Sequence, residues 1–342
     1  MSIMKSLSVV LLSATCATPA LASKARIGAL QGALGLVDTQ TIFDQPAYVN
    51  KLPQLATFEL GSSSNTGAPK AEGGFILDRS GTRWGAYLGH QSPYQNAFRT
   101  PGGFQLQDNP IQVFYGMGDM GATVSISNSE DATTEIKQTT LTAGYGMLMG
   151  DAEFSVNVDL FGKAEKKPAA STDKIQSKLP VIEGNYLLRQ GDMTYAATVA
   201  YGDADQEVST VTTAVKLMSI QLGMNHRPIE GVYYGVLFNM NEFDAGGKKR
   251  TIYGFPFVMG LEKEVTSWMI ARGSISQNLL ISSNKDDITP AKEKKNLNDT
   301  TVTFGTGFKM GSFLLDALFA ASTSGKINGA DFLTQASVTY NF

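Results

Sequence analysis

From about residue 53 to its last residue the chain carries one repeated pattern, and that pattern leaves few folds open. Segments of about 8 to 15 residues alternate apolar and polar side chains, as in residues 121–127 and 152–160. A period of two predicts β-strands with one apolar and one polar face, and helical spacing fits none of these segments. Short connections rich in turn residues alternate with longer polar ones. The pattern predicts an all-β protein built from antiparallel hairpins.

Sixteen such strands can be counted, and their even number is informative. They start near Pro53, Gly73, Thr82, Pro110, Gly121, Thr134, Ala152, Leu179, Met193, Val211, Val232, Thr251, Trp268, Thr301, Phe313 and Asp331. With this count every short turn falls at one end of the sheet, together with both chain termini, and every long connection falls at the other. Fourteen strands is the alternative, because the segments at Gly73, Thr82 and Leu179 carry the weakest pattern.

The last strand indicates which surroundings the sheet has. Phe332, Ala336, Val338, Tyr340 and Phe342 share one face, and polar residues occupy the other. This ending resembles the C-terminal signal by which outer-membrane barrels are recognised for assembly, with Tyr340 and Phe342 at the expected places. The resemblance implies a closed antiparallel transmembrane β-barrel of a Gram-negative bacterium, with short periplasmic turns, longer extracellular loops and the barrel-assembly machinery as a partner. The alternative is an amphipathic strand that closes a soluble β-sandwich.

The first 22 residues predict an export signal. Lys5 precedes an apolar run at residues 7–12, and Ala20-Leu21-Ala22 is a small-x-small cleavage site. The mature chain is therefore expected to start at Ser23, and its domains are a cleaved signal peptide at 1–22, an N-terminal segment at 23–52 and a barrel at 53–342. A lipoprotein signal ending at Cys16 is the less favoured alternative.

Composition excludes several functions. The formal net charge is -3, which gives no basis for nucleic-acid binding. His90 and His226 are the only histidines, and they lie on distant hairpins. We therefore expect no enzyme, no metal and no cofactor. The mean hydropathy of -0.08 suits a membrane barrel, because only alternate residues meet lipid.

Residues 23–52 do not have the pattern of strands. Asp44 followed by Gln45-Pro46-Ala47 resembles the lumenal N-terminal segment of FadL-like transporters, in which an acidic stretch ends in Asn-Pro-Ala. A periplasmic segment packed under the barrel floor is the other possibility, and it is slightly preferred. Across this segment and the barrel, the chain is also similar to porin-like major outer-membrane proteins of predatory deltaproteobacteria.

These patterns predict residues of a pore. Strand alternation predicts charged side chains that face an aqueous lumen, or that merely solvate a polar wall: Glu59, Asp78, Arg83, Glu153, Asp159, Glu183, Arg189, Lys216, Arg272, Lys309 and Asp316. Residues 91–105 are a candidate constriction loop through Tyr94, Phe98, Arg99 and Phe104, or an ordinary surface loop. Outward aromatic residues predict a girdle at the lipid boundary: Trp84, Tyr145, Tyr195, Tyr201, Tyr234, Phe313, Tyr340 and Phe342.

Lysines and arginines in the long connections predict a basic rim that either meets lipopolysaccharide phosphates or is simply solvated: Lys163, Lys166, Lys167, Lys174, Lys248, Lys249, Arg250, Lys285, Lys292, Lys294 and Lys295.

The resemblance to porins implies a passive, water-filled pore for small solutes and ions, assembled as a homo-oligomer. Residues 252–258 are apolar on both faces, which suggests a strand buried between subunits. The alternatives are a non-conducting barrel that organises the membrane, and a FadL-like uptake channel for apolar molecules. A plugged lumen would distinguish the last of these.

Overall fold

A computed structural model describes residues 23–60, 71–100, 103–131, 136–166, 173–208, 210–279, 283–287, 294–296, 300–322 and 335–342. The predicted signal peptide, and the strand start near Asp331, lie outside these residues.

Nineteen β-strands and three short helical segments make up the described chain. The helical segments are α1 (Lys24–Ala29), a 3₁₀ helix (Pro46–Asn50) and α2 (Pro93–Arg99). The first strands are β1 (Leu55–Leu60), β2 (Ala71–Arg79), β3 (Thr82–Leu88), β4 (Ile111–Met117), β5 (Met120–Asp131), β6 (Ile136–Met149), β7 (Ala152–Lys166), β8 (Asp173–Gln190), β9 (Met193–Val208) and β10 (Val211–Ile229). The others are β11 (Val232–Ala245), β12 (Lys248–Gly254), β13 (Pro256–Thr266), β14 (Met269–Asn278), β15 (Ser283–Asp286), β16 (Lys294–Asn296), β17 (Thr300–Met310), β18 (Phe313–Ser322) and β19 (Gln335–Asn341).

The strands form one closed antiparallel sheet. From β1 to β11 each strand pairs with its neighbour in the chain, and β19 pairs with both β18 and β1, which closes the sheet into a barrel. β12 and β13 are two halves of one barrel strand, interrupted at Phe255 before the proline that starts β13, and both pair with β11. β14 and β15 continue each other beside them, and β16 is an extra strand paired with β15. The barrel therefore has sixteen strands, which confirms the predicted count and rules out fourteen.

One strand starts earlier than expected. β8 begins at Asp173, six residues before the predicted start near Leu179. Its register with β9 shifts between Ser177 and Leu179 and again between Leu179 and Ile182. Because a β-bulge inserts a residue, it breaks the alternation by which the strand could have been recognised.

The outer surface carries an apolar belt that ends in charges. On β11, Tyr234, Val236, Phe238 and Met240 alternate outward along the strand, and Glu242 follows them toward the long connections, paired with Lys249 at 2.7 Å. On the long strands β7, β8 and β9 the ion pairs Lys163–Glu165 (2.5 Å) and Lys174–Glu207 (2.8 Å) lie at the same end. No described helix is both long and apolar enough to cross a bilayer.

Wall height differs around the barrel. β1, β3 and β4 have six or seven residues, whereas β8, β9 and β10 have 16 to 19. Strands rise about 3.4 Å per residue, so the long strands continue well past the apolar belt. This tall wall gives the loop between β3 and β4 an inner surface to pack against.

Candidate functional site

The N-terminal segment, residues 23–52, lies inside the barrel. α1 contacts β14, β17, β18 and β19, and the 3₁₀ helix contacts β3, β4, β5 and β6 on the other side. Between them, Leu34 N–H donates to Asn225 Oδ1 at 2.8 Å, and the Gly35 carbonyl accepts from Arg189 at 3.1 Å. The preferred expectation, a position below the barrel floor, is therefore wrong. The segment carries charged and apolar groups whose partners are found on the inner wall.

The 3₁₀ helix is held by apolar packing. Ile42, Phe43, Val49 and Leu52 form one buried cluster with side chains of β1–β4, which include Leu55, Ile76, Tyr87 and Phe114. The wall approaches closely because it carries glycine there. A Cβ atom at Gly121 would collide with the Pro46 carbonyl, and one at Gly146 with the Gln45 side chain. These glycines explain how the resembling motif Gln45-Pro46-Ala47 fits against the strands.

α1 is held by charge. Arg26 donates from Nη1 to Asp38 Oδ2 (3.1 Å) and from Nε to Glu262 Oε2 (2.8 Å). Arg272 donates to the same Glu262 oxygen at 2.6 Å and is also paired with Asp316. Burial opposes the charged form of Arg26, but the contacts with Glu262 and Asp38 outweigh it and raise the pKa of that guanidinium. Two arginines thus join the segment to β13, β14 and β18.

A carboxylate cluster surrounds the start of α1. It consists of Asp38, Glu59 and Glu72, all buried. The Lys24 N–H donates to Glu59 Oε2 at 2.8 Å, and Lys24 Nζ lies 2.5 Å from Glu72 Oε2. Burial raises the pKa of Asp38 to about 7, and the nearby charge of Glu59 adds to this increase. The charge of Arg26 opposes it.

The described parts of the candidate constriction loop, residues 91–100 and 103–105, also fold into the barrel. Its helix α2 is capped by Ser92, whose Oγ accepts from the Gln95 N–H at 3.3 Å and donates to Asp159 Oδ2 at 2.6 Å. Phe98 and Phe104 are buried against apolar side chains on the inner face of the tall wall, which include Ala164, Ile175, Val181 and Val215. Tyr94 donates its hydroxyl to Glu183. The four candidate constriction residues therefore lie in the lumen.

Arg99 is a buried cation that neutral acceptors hold. It is 1% exposed and donates to Gln138 Oε1 (3.1 Å), Thr140 Oγ1 (2.8 Å) and the carbonyls of Thr139 and Lys163 (both 3.3 Å). No carboxylate of the described chain forms an ion pair with it. Burial lowers the pKa of Arg99 to about 10, although Asp159 opposes this change. Arg99 fixes α2 to the wall through hydrogen bonds.

The two inserted segments divide the lumen into separate spaces. A cavity of about 470 Å³ opens at the short-turn end between the N-terminal segment and the wall, next to Arg26, Leu30, Arg227, Tyr233 and Glu262. A cavity of about 80 Å³ lies between the two segments, bounded by Asp44, Tyr94, Asp159 and Glu183. Narrow spaces lined by both charged and apolar side chains occupy the place where a barrel of this strand number would hold a wide channel.

Most of the charged residues predicted to line the pore face inward, against the inserted segments. Seven of them contact or adjoin the two segments: Glu59, Glu153, Asp159, Glu183, Arg189, Arg272 and Asp316. Asp78 and Arg83 pair with each other at 3.2 Å near the short turns, and Lys309 pairs with Glu264.

The inward assignment of Lys216 is wrong. Its neighbours Val215 and Leu217 are buried on the inner face, in the cluster around α2, so Lys216 points outward and is exposed. The alternation of apolar and polar residues gave the wrong direction for Lys216 because the inner face of the tall wall is apolar. In this part of the barrel, polar side chains on the strand point outward and apolar ones point inward. For the same reason Val258, from the stretch expected between subunits, packs inward against Leu30 and Tyr233.

The predicted girdle residues lie on the outer surface. Seven are exposed and Tyr340 is half-buried: Trp84, Tyr145, Tyr195, Tyr201, Tyr234, Phe313 and Phe342. Tyr340 packs between Phe313 and Phe342, with ring centroids 4.8 and 5.2 Å apart. The predicted assembly signal, Tyr340 and Phe342, thus forms an outward aromatic group beside the last short turn.

Several residues of the site escaped sequence reasoning. Arg26 and Asp38 lie in a segment without strand pattern, and Glu262 lies among charged residues on both faces of β13. His90 stacks on Phe43 with ring centroids 3.4 Å apart, and Ser92 bonds to Asp159. No group of three or more histidine, cysteine, aspartate or glutamate side chains suited to a metal occurs in the described ranges. The absence of enzymatic activity stays a prediction.

Comparison with known proteins finds barrels. No family model and no curated protein matches the chain. Among solved structures it is similar to in-vitro folded OmpT, an outer membrane protein of Vibrio cholerae, with 9% identity over 85% of this chain and 96% of that one and a TM-score of 0.44. It is also similar to the Ralstonia pickettii toluene transporter TbuX, with 11% identity, 93% and 98% coverage and a TM-score of 0.42. CdiB from Acinetobacter baumannii has 9% identity, 84% and 60% coverage and a TM-score of 0.46.

Proposed function

We propose that the protein is an outer-membrane transport channel with a narrow, internally plugged passage. The apolar outer belt suits hydrocarbon, which offers no hydrogen-bond partners to a free sheet edge, and closure of the barrel removes such edges. The ion-paired charges beyond the belt suit the water-facing side, and the short turns then face the periplasm.

The observation that carries the proposal is the occupied lumen. A sixteen-strand barrel is wide enough for water, but here α1, the 3₁₀ helix and α2 cross the interior and leave cavities of about 470 and 80 Å³. Such spaces admit small solutes one at a time. A restricted channel is therefore favoured over the wide passive pore, which stays a prediction. The charged side chains among the apolar lining, such as Arg26, Arg227 and Glu262, do not favour a path for purely apolar molecules.

Single-channel recording in planar lipid bilayers tests this. We expect small steps from the wild type and larger steps from Tyr94→Ala, because Tyr94 bounds the cavity between the two inserted segments. Tyr195→Ala is the matched control, since Tyr195 is exposed on the outer surface, and its steps should equal those of the wild type.

Two outcomes would contradict the proposal. Large ohmic steps from the wild type would instead indicate the wide passive pore. Silence from folded, heat-modifiable wild type and Tyr94→Ala alike would indicate a barrel that organises the membrane and does not transport.

The partners follow from the same placement. We propose that the belt contacts lipid and that exposed basic side chains at the long-loop end, such as Lys248, meet lipopolysaccharide phosphates. Lys163, Lys174 and Lys249 already pair with carboxylates, which weakens their part in this contact. A homo-oligomer rests on the resemblance to porins alone, because Val258 is covered by Leu30 within the same chain.

A further inference from the structure

The first residue of the predicted mature chain, Ser23, is buried and held by hydrogen bonds. Ser23 follows the cleavage site Ala20-Leu21-Ala22, and its backbone nitrogen lies 3.0 Å from Asp38 Oδ1 at a buried contact. Its carbonyl accepts hydrogen bonds from the Arg26 and Ile27 N–H groups, at 2.9 and 3.2 Å. Ser23 is thus held at both ends: its carbonyl accepts from the first turn of α1, and its backbone nitrogen donates to a buried carboxylate.

The surrounding cluster lacks one positive charge. Asp38, Glu59 and Glu72 are buried together, whereas the cations beside them are Lys24 and Arg26, of which Arg26 is shared with Glu262.

Glu59 accepts its hydrogen bonds from neutral groups, namely the Lys24 N–H, Gln40 Nε2 and the hydroxyls of Tyr87 and Thr39. His90 lies 4.0 Å from Glu72, and burial lowers its pKa, which favours the neutral ring. A buried carboxylate without a counter-charge is unfavourable.

We propose that Asp38 is a binding site for the α-ammonium group of the chain itself, created when the export signal is removed. Hydrolysis of the Ala22–Ser23 peptide bond consumes one water, leaves a carboxylate on Ala22 and releases the Ser23 nitrogen as an ammonium. That nitrogen already lies at hydrogen-bond distance from Asp38 Oδ1, so the new charge forms a buried ion pair. Docking of the N-terminal segment in the lumen is thereby coupled to processing.

The ion pair with Asp38 also offsets an unfavourable interaction between the ammonium group and α1. A positive charge at a helix N-terminus is opposed by the helix dipole, so an ammonium at the start of α1 needs a carboxylate against it. Asp38 supplies one. The proposal does not depend on transport, because it concerns only how the segment docks.

The test begins with the N-terminus. Mass spectrometry of the protein extracted from outer membranes should find Ser23 as the first residue. Two refolded chains are then compared, one that starts at Ser23 and one with two glycines before Ser23, which keeps the Ser23 N–H but moves the ammonium away. Each is treated at pH 7 with a water-soluble amine-reactive ester, folded and unfolded, and the labelled N-terminal peptide is quantified.

We expect the α-amine of the folded Ser23 chain to react at least tenfold more slowly than that of the unfolded chain. Asp38→Asn should abolish this protection, whereas Asp119→Asn, at an exposed turn, should keep it. The diglycine chain should be labelled rapidly and should be cut by trypsin after Arg26 at least tenfold faster than the Ser23 chain.

The proposal is overturned by another native N-terminus, by equally fast labelling of folded and unfolded Ser23 chains, or by full protection in Asp38→Asn. If Asp38→Asn does not fold, the diglycine chain decides the matter, because its barrel and carboxylates are unaltered. Bilayer conductance is measured separately, so a failure of this pairing leaves the proposed channel function standing.

Discussion

The N-terminal segment and the α2 loop both lie inside the barrel, yet they meet walls of different character. α1 faces buried ion pairs, in which Arg26 and Arg272 join Glu262, Asp38 and Asp316. α2 faces an apolar wall, on which Phe98 and Phe104 pack, and its one buried cation bonds to neutral oxygens. The inner face of one barrel is thus polar where it holds one segment and apolar where it holds the other.

The two segments should therefore respond differently when one of their contacts with the wall is removed. Buried ion pairs are strongly destabilised when one partner is removed, because the other charge stays buried. An apolar contact loses its transfer free energy and leaves a cavity, but no charge is stranded. We therefore expect damage to the charged side to spread into the barrel strands, and damage to the apolar side to remain in the loop.

The largest effect is expected at Arg272. Arg272→Ala strands Asp316, whose only described ion pair is with Arg272, and should lower the free energy of unfolding by about 3 to 5 kcal/mol. Urea unfolding in detergent, followed by heat-modifiable gel mobility, measures this. Arg83→Ala is the control, because the Arg83–Asp78 pair is partly exposed and should contribute less than about 1 kcal/mol. Equal losses in both variants would remove the distinction between the buried and exposed pairs.

The next effect depends on pH and concerns Asp38 in a chain that extends before Ser23. The folded-state pKa of about 7 exceeds the usual 3.8, so the folded chain binds an extra proton between these values. Stability from this group is fully present below about pH 4 and is lost as the pH rises through about 7, by up to about 4 kcal/mol.

Unfolding midpoints at pH 5 and pH 8 test this dependence. The extended chain should lose stability at pH 8, and Asp38→Asn should remove most of that loss. A chain that begins at Ser23 should also lose less, because its ammonium favours ionised Asp38. The same slope in all three chains would exclude Asp38 as its source.

Phe98→Ala tests the apolar side. Phe98 is 2% exposed within the cluster around α2, and its truncation should weaken loop docking by about 3 kcal/mol. Hydrogen exchange of the α2 amides should accelerate about a hundredfold, while the urea midpoint of the barrel stays nearly unchanged. A midpoint that falls as far as in Arg272→Ala would show that the loop and the barrel unfold together, and would break the comparison.

Sequence reasoning reached the fold because lipid and water impose alternation on every strand of the belt. It found α2 as a constriction because exposed aromatic residues such as Phe98 and Phe104 had to pack somewhere. It did not find Arg26, Asp38 or Glu262, because Arg26 and Asp38 lie in a segment without strand pattern and Glu262 meets Arg26 only when the barrel closes. It misplaced residues 23–52 because a segment without periodicity gives no sign of which surface receives it.

The smallest effect is expected at Lys216, where the rule of alternation failed. Lys216 is exposed on the outer surface just beyond the apolar belt, while Val215 and Leu217 support α2 from inside. Lys216→Gln should therefore change the unfolding free energy by less than about 0.5 kcal/mol and leave single-channel conductance unaltered. Val215→Lys reverses the placement and puts a charge into the apolar wall, so it should accelerate exchange in α2 as Phe98→Ala does. If Lys216→Gln changed conductance and Val215→Lys did not, β10 would have the opposite face inward, and the apolar character of the tall inner wall would be wrong.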